Sequence, residues 1–309
     1  MNNQLLVSIV VITYNSSKYV LETLESAKVQ TYQNIELIVS DDCSTDDTVD
    51  VCQNWLDENK ERFVRTELLT VLKNTGVSAN CNRGYKVAKG EWIKGVAGDD
   101  MLFPHSISDY LSFVIKTQCD ICFGKLMFFG DNEELVEKSQ VFYEKNYYPY
   151  LKMDQKSQLN EILKRLFVPG PGLFYSKVLW DEVGGFDEKY PFCEEYPFTY
   201  KILNMGKQIY FIDTPLLLYR IREGSLCRDV LGLNDRVFRD NRQYFIDYRR
   251  WQMLKRGLIL HVWHESLLFF YTSLKYRYGI NFKFLLFLSP IAYYIKAKRV
   301  FRVFLCVAD

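Results

Sequence analysis

Residues 7–13 (VSIVVIT) form an unbroken β-branched run, the pattern of a strand buried on both faces of a parallel sheet. The period then changes. Ser16 or Ser17 can cap a helix whose apolar stripe is Val20, Leu21, Leu24, Ala27 and Val29. Residues 35–40 (IELIVS) repeat the strand pattern, and Ser44 with Asp47 makes a capping box for a helix through Val49, Val51, Cys52, Trp55 and Leu56. Residues 68–72 read as a third strand. After a turn at Asn74, Thr75 and Gly76, a helix with Val77, Cys81, Tyr85 and Val87 or Ala88 on its apolar side breaks at Gly90, and 92–96 is the fourth strand. Strand and helix in alternation predict an α/β chain with a doubly wound, mostly parallel, Rossmann-like sheet and right-handed crossovers.

The later chain continues this pattern less regularly. Residues 104–129 supply a further helix and strand, and 130–150, acidic and then aromatic, read as a β-ribbon or mobile loop near the site. A helix over 158–167 carries Leu159, Ile162, Leu163 and Leu166 on one face. The PGPG cluster at 169–172 is a turn that brings backbone close to another group. Gly184 and Gly185 make a tight turn before Phe186 and Asp187, and Glu194 and Glu195 open a helix through Phe198, Ile202 and Leu203. Residues 207–212 and 216–221 read as two strands. Helical spacing resumes from 229 to 278.

Composition adds a polarity along the chain. Residues 240–309 hold twelve Lys plus Arg against four Asp plus Glu, whereas residues 1–239 hold 27 against 34. A basic, aromatic tail on an acidic body suits an anionic surface. The longest uncharged run there, 284–295, is broken by Pro290 and falls short of the roughly 20 residues of a spanning helix. It reads as an amphipathic helix in a membrane interface, or as a helix packed on the rest of the chain or on a second subunit. The 8 scattered cysteines and the absence of a charged-then-apolar leader predict a reduced, cytoplasmic chain, peripheral on the membrane if the tail docks there. Cys119 and Cys122 have no second pair at zinc spacing and are expected to pack in a buried strand. His261, His264 and Glu265 lack a third ligand and read as ordinary helix residues.

The candidate chemistry sits at strand ends. Tyr14 and Asn15 follow the first strand, Asp41 and Asp42 the second, and Asp99 and Asp100 the fourth, and carboxyl ends of strands in such sheets are where ligands bind. Adjacent acids repel unless a cation or donors lie between them, which suits a hard divalent ion that also touches a phosphate. A solvated turn before Pro104 is the other reading of Asp99 and Asp100. No G-x-G-x-x-G follows the first strand and no P-loop occurs, so dinucleotide and P-loop chemistry are disfavoured. Glu194 and Glu195 can serve as a general base at a helix start or can complement the helix dipole.

The segments SIVVITYNSS (8–17), SDDCSTDDT (40–48) and NTGVSANCNRGYKVAKGEWIKGVAGDD (74–100) resemble those of glycosyltransferase family 2, the inverting enzymes of the GT-A fold. The resemblance covers about the first hundred residues strongly and extends more weakly to about residue 225. It implies a nucleotide site with Thr13, Tyr14 and Asn15 along the base and Asp41 or Asp42 on its edge. Asp99 would hold ribose and, with Asp100, a divalent Mn2+ or Mg2+ on the diphosphate. Glu195 or Glu194 would be the catalytic base, because family members carry an acid pair after a Gly-Gly-Phe-Asp-Glu stretch. Arg222 occupies the place of a frequent family His and would pair with the diphosphate, as would Arg83; a surface ion pair with Glu223 or Asp229 is the alternative for Arg222. The family often has an Asp where this chain has Ala97 and an Arg where it has Cys81.

The resemblance thus implies sugar transfer from a nucleotide-diphosphate sugar, UDP-linked first among donors, to a saccharide acceptor, lipid-linked in the preferred reading, in surface polysaccharide assembly. Expected organisation is a catalytic domain over 1–226, divided into a nucleotide-sugar half (1–103) and an acceptor half (104–226), with a helical region over 227–309 that meets membrane or makes a homo-oligomer. No nucleic acid partner is expected. Two other classes stay open at this level: a sugar-nucleotide-forming nucleotidyltransferase, and a non-catalytic nucleotide-sugar or membrane-binding module.

Overall fold

The computed structural model describes residues 5–222 and 235–278. The expectations for Glu223, Asp229 and the tail over 279–309 therefore lie outside the described residues. Two units are distinguished, Met1–Asp240 and Asn241–Asp309.

The first unit is built on an eight-stranded sheet among the described residues, in the order β3-β2-β1-β4-β7-β6-β8-β5. The strands are β1 (Val7–Thr13), β2 (Ile35–Asp41), β3 (Arg65–Leu69), β4 (Trp92–Ala97), β5 (Met101–Leu102), β6 (Ile121–Phe129), β7 (Leu173–Ser176) and β8 (Tyr210–Arg220). The four strands β3, β2, β1 and β4 are parallel, β7 runs against β4 and β6, and β8 is again parallel to β6. The expected doubly wound, mostly parallel sheet is therefore present. Because β4 and β6 both oppose β7, the carboxyl ends of β1, β2, β4, β6 and β8 share one edge.

The helices are α1 (Val20–Lys28), α2 (Thr48–Asn59), α3 (Val77–Val87), α4 (Ser106–Thr117), α5 (Glu133–Asn146), α6 (Tyr148–Leu151), α7 (Gln155–Ile162), α8 (Lys177–Val183) and α9 (Glu195–Asn204). Helix α3 can lie close on β1 and β2 because Gly84 has no side chain; a Cβ there would meet Val10 at 2.5 Å. The second unit contains the end of α10 (Asp235–Tyr244), a π-helical segment Phe245–Arg249, α11 (Arg250–Lys255) and α12 (Ile259–Tyr278), and within it Arg249 pairs with Glu265. Among the described residues no helix is long and apolar enough to cross a membrane.

Several boundaries differ from the sequence pattern for physical reasons. Strand β3 begins three residues earlier than its apolar run, because Arg65 lies opposite Glu36 in the ladder and pairs with it at 3.0 Å; Leu72 is left fully exposed. Residues 133–146 are a helix, not a ribbon or loop: the Asn132 side chain accepts from Leu135 N, Glu134 pairs with Lys138, and Tyr143 stacks on Tyr147 one turn away at 4.4 Å. The two expected strands at 207–221 are one strand, β8, interrupted by a bulge at 213–214, where Pro215 cannot donate to the ladder. The 158–167 helix starts earlier and stops at Ile162, capped by Asp154. Neither expected N-terminal cap forms. Ser44 turns back to Asp41, Asp46 binds Thr48, and Ser16 contributes its carbonyl to Tyr19 and Val20.

At the opposite edge of the sheet, one buried acid ties the layers together. Glu36 is 1% exposed and accepts from Ser8 Oγ in β1, Arg65 in β3, and the Lys89 and Gly90 amides before β4. Glu36→Ala would leave the Ser8 hydroxyl and the Lys89 and Gly90 amides without this buried acceptor, while Arg65 keeps Glu67, so chemical denaturation should show a loss of about 2–3 kcal/mol; a loss below about 1 kcal/mol would show that water replaces the carboxylate.

Candidate active site

The loops after β1 and β2 brace each other. Thr13 is buried and donates its hydroxyl to Asp41 Oδ2 at 2.8 Å, and Ser44 donates both its amide and its hydroxyl to the same carboxylate. Asn15 takes a left-handed backbone, φ 50°, which lets its amide reach Ser44 Oγ and its side-chain oxygen accept from Thr45 N. Tyr14, between them, stands exposed on the sheet edge. Asp42 is also buried; it accepts from the Thr75 amide and hydroxyl and the Gly76 amide, and pairs with Arg83 at 3.1 Å. Arg83 further donates to Asn80 Oδ1 and the Asp41 carbonyl. Asp41, Asp42 and Arg83 thus shape the wall behind Tyr14 and Asn15 through bonds within the chain.

Asp99 and Asp100 meet two arginines from β8 and its end. Arg222 Nε donates to Asp99 Oδ2 at 2.9 Å, Arg220 Nε to the Asp99 carbonyl, and the Arg220 amide to Asp100 Oδ1 at 2.9 Å. The Arg220 guanidinium also covers Tyr19 and Phe129 and pairs with Glu22. Asp100 is 1% exposed, and its Oδ2 has no hydrogen-bond partner among the described residues. Burial, and then the Asp99 charge, push the Asp100 carboxyl well above its usual range. Among the described residues no three His, Cys, Asp or Glu side chains gather as a metal nest. An orphaned carboxylate oxygen beside a second carboxylate nevertheless fits a hard cation that draws its remaining ligands from phosphate and water.

The second acidic pair stands at the start of α9. Glu195 Oε1 accepts from the Gly170 amide at 3.0 Å, so the PGPG turn approaches this carboxylate. The approach is close: a Cβ at 170 would come within 3.1 Å of Glu195 Oε1 and shift that carboxylate by a few tenths of an ångström. Glu194 and Glu195 also hydrogen-bond to each other. Burial pushes Glu194 well above the usual carboxylate range, and the neighbouring Glu195 charge adds to it; burial also raises Glu195, but the Gly170 amide and Glu194 oppose that rise. Burial thus favours a proton shared within this pair, and the Gly170 amide favours the charged form of Glu195. Cys81 lies near this pair; burial, and then the charges of both glutamates, pushes its thiol up.

The glycosyl transferase family 2 model matches residues 8–180, more than half of the chain. The chain belongs to this family. Glycosyltransferase GlyG of Streptococcus pneumoniae is 29% identical over 245 residues, covering 74% of this chain and 75% of its own. An uncharacterized glycosyltransferase of Rickettsia felis is 29% identical over 238 residues, of which this chain spans only 36% of the length. Among solved structures, S. aureus TarS 1-349 in complex with UDP-GlcNAc has a TM-score of 0.58 at 20% identity, covering 85% of this chain and 81% of that one. The same protein in complex with UDP gives 0.55 at 18% identity. At these identities the likeness concerns fold, which is GT-A-like with a helical C-terminal region.

Within this family 2 chain, Arg220 and Gly170 carry contacts that motif reading passed over. Arg220 acts largely through backbone and rings, and nothing local marks such a role. Gly170 had a signal, the PGPG cluster, but its partner lies 25 residues away. The raised Glu194 carboxyl has a consequence for stability. Below about pH 4.5 folded and unfolded chains both hold the proton; as pH rises the unfolded chain releases it first, so this contribution to stability is lost as pH climbs toward the folded value. Glu194→Gln removes that loss. Its melting temperature relative to wild type should climb steadily between pH 4 and 8, and a pH-independent difference would contradict the shared-proton arrangement.

Proposed function

We propose that this family 2 chain transfers a sugar from a nucleoside-diphosphate sugar to an acceptor hydroxyl, with inversion at the anomeric carbon in one displacement. The observation that best supports it is the buried, mutually hydrogen-bonded Glu194–Glu195 pair, in which Glu195 is held by the Gly170 amide. Glu195 takes the hydroxyl proton as the acceptor oxygen bonds to the anomeric carbon, and the bond from that carbon to the diphosphate oxygen breaks on the opposite face. Tyr14 and Asn15 receive the base against the wall made by Thr13, Asp41 and Asp42. Arg222, with Arg83 behind it, answers the charge of the departing diphosphate. Asp100 and Asp99 would hold Mn2+ or Mg2+, which when bound acts as a Lewis acid for the leaving group.

UDP is the first candidate nucleotide, supported by the UDP and UDP-GlcNAc complexes of the similarly folded TarS. For the process we favour surface polysaccharide assembly of the O-antigen or capsule kind on a lipid-linked acceptor, at the inner face of the membrane. The proposed organisation keeps a donor half over 1–103, an acceptor half over 104–226 and a membrane-meeting or dimerising region over 227–309.

Two measurements test this. Thermal stabilisation by UDP, GDP, dTDP and CMP compounds, with and without Mn2+, should single out one nucleoside diphosphate, with a larger shift when metal is present. No shift with any of them would remove the donor site. Glu195→Gln should lower turnover by about 10²–10⁴-fold while nucleotide stabilisation is kept; turnover near wild type would exclude Glu195 as the base.

A further inference from the structure

Lys94 stands in the middle of β4, and its side chain is fully buried. Its ammonium donates to the Pro171 carbonyl and to the Leu173 carbonyl, the latter at 3.1 Å. Between them the Gly172 carbonyl accepts from the Tyr110 hydroxyl of α4 at 3.0 Å. Three successive carbonyls, the last two of the PGPG turn and the first of β7, are therefore tied down by two side chains from the floor of the fold. The turn is also pressed from beneath, since a Cβ on Gly172 would strike the Phe123 ring at 2.3 Å. Its upper side presents the Gly170 amide to Glu195.

A buried ammonium is an expensive way to satisfy two carbonyls. Burial pulls Lys94 down to about 7, opposed by the charges of Asp100 at the end of its own strand and Cys122 on β6, and the Tyr110 ring lies 5.4 Å from the ammonium. An apolar residue would satisfy packing in the centre of this sheet without that cost. What it could not do is hold the turn by its carbonyls.

We propose that Lys94 is a positioning residue: it clamps the 169–172 turn from below, so that the Gly170 amide keeps Glu195 aimed and ionised for proton abstraction. The proposal rests on Glu195 being the base. Glu195 is also faced by Glu194 and Cys81, with Asp240 acting on Glu194, and none of these is cationic. The Gly170 amide thus supplies a donor that no neighbouring charge replaces. If the clamp is removed and that amide withdraws, Glu195 becomes a weaker acid and the acidic limb of the rate profile moves to higher pH.

The test reads Glu195 directly. Full-length protein labelled with carboxyl-¹³C glutamate is titrated by NMR, the Glu195 signal being assigned by its loss in Glu195→Gln. In Lys94→Met, which matches the lysine in length, Glu195 should become a weaker acid by about tenfold. Tyr110→Phe, which releases only the middle carbonyl, should shift it in the same direction by less. A residue that merely fills the core would lower the melting temperature and leave this titration in place. An unmoved Glu195 in folded Lys94→Met overturns the proposal; if that variant does not fold, an unmoved Glu195 in Tyr110→Phe does so. Near-wild-type turnover in Glu195→Gln would instead overturn the base assignment and the catalytic purpose of the clamp with it, whatever the titration shows.

Discussion

Parallel strands place all their carboxyl ends on one side, and this chain puts acids at several of them, so the edge is governed by how each negative charge is answered. Asp41 is answered by the hydroxyls of Thr13 and Ser44, Asp42 by the Thr75 and Gly76 amides and Arg83, and Asp99 by Arg222. Asp100 is answered on one oxygen only. Glu194 and Glu195 are answered by a proton shared within the pair. These solutions differ in what they leave available: the acids behind Tyr14 are saturated and rigid, whereas Asp100 and Glu195 keep capacity for something that arrives from outside the chain.

The departures from the usual family residues become coherent in this light. Ala97 removes one acid from the edge, and a single guanidinium, Arg222, then suffices for Asp99. Cys81 stands beside the glutamate pair where an Arg is frequent, and burial raises both carboxyls. An Arg at 81 would favour ionisation of both acids. With Cys there, the charged form of Glu195 is favoured by the Gly170 amide and by the hydrogen bond between the two acids.

Much of the fold was legible because burial on both faces writes itself into sequence as an unbroken apolar run: β1, β2 and β4 were read within a residue. What failed was local reading of non-local constraints. The run at 68–72 looked like the better strand, but the Glu36–Arg65 pair set the register three residues earlier. Residues 133–146 looked irregular because their helix has an aromatic stripe and few buried aliphatics; the Asn132 cap and the Tyr143–Tyr147 stack stabilise it instead. Of the site, the acids were legible as pairs after strands. Their partners were not, since Arg222 reaches Asp99 across 123 residues of chain and Gly170 reaches Glu195 from another loop.

Strand β4 and the turn that follows it carry two unlike buried charges. Lys94 lies in β4 and Asp100 three residues beyond its end, and each moves the other toward its charged form. Neither forms an ion pair with the other among the described contacts. Lys94 turns its donors to the Pro171 and Leu173 carbonyls, while Asp100 turns one oxygen to the Arg220 amide at the end of β8. The strand and its following turn are thereby tied to both the 169–173 backbone and β8. Keeping the two charges apart lets each hold a different wall, whereas a direct pair would have satisfied them together and left both walls without support.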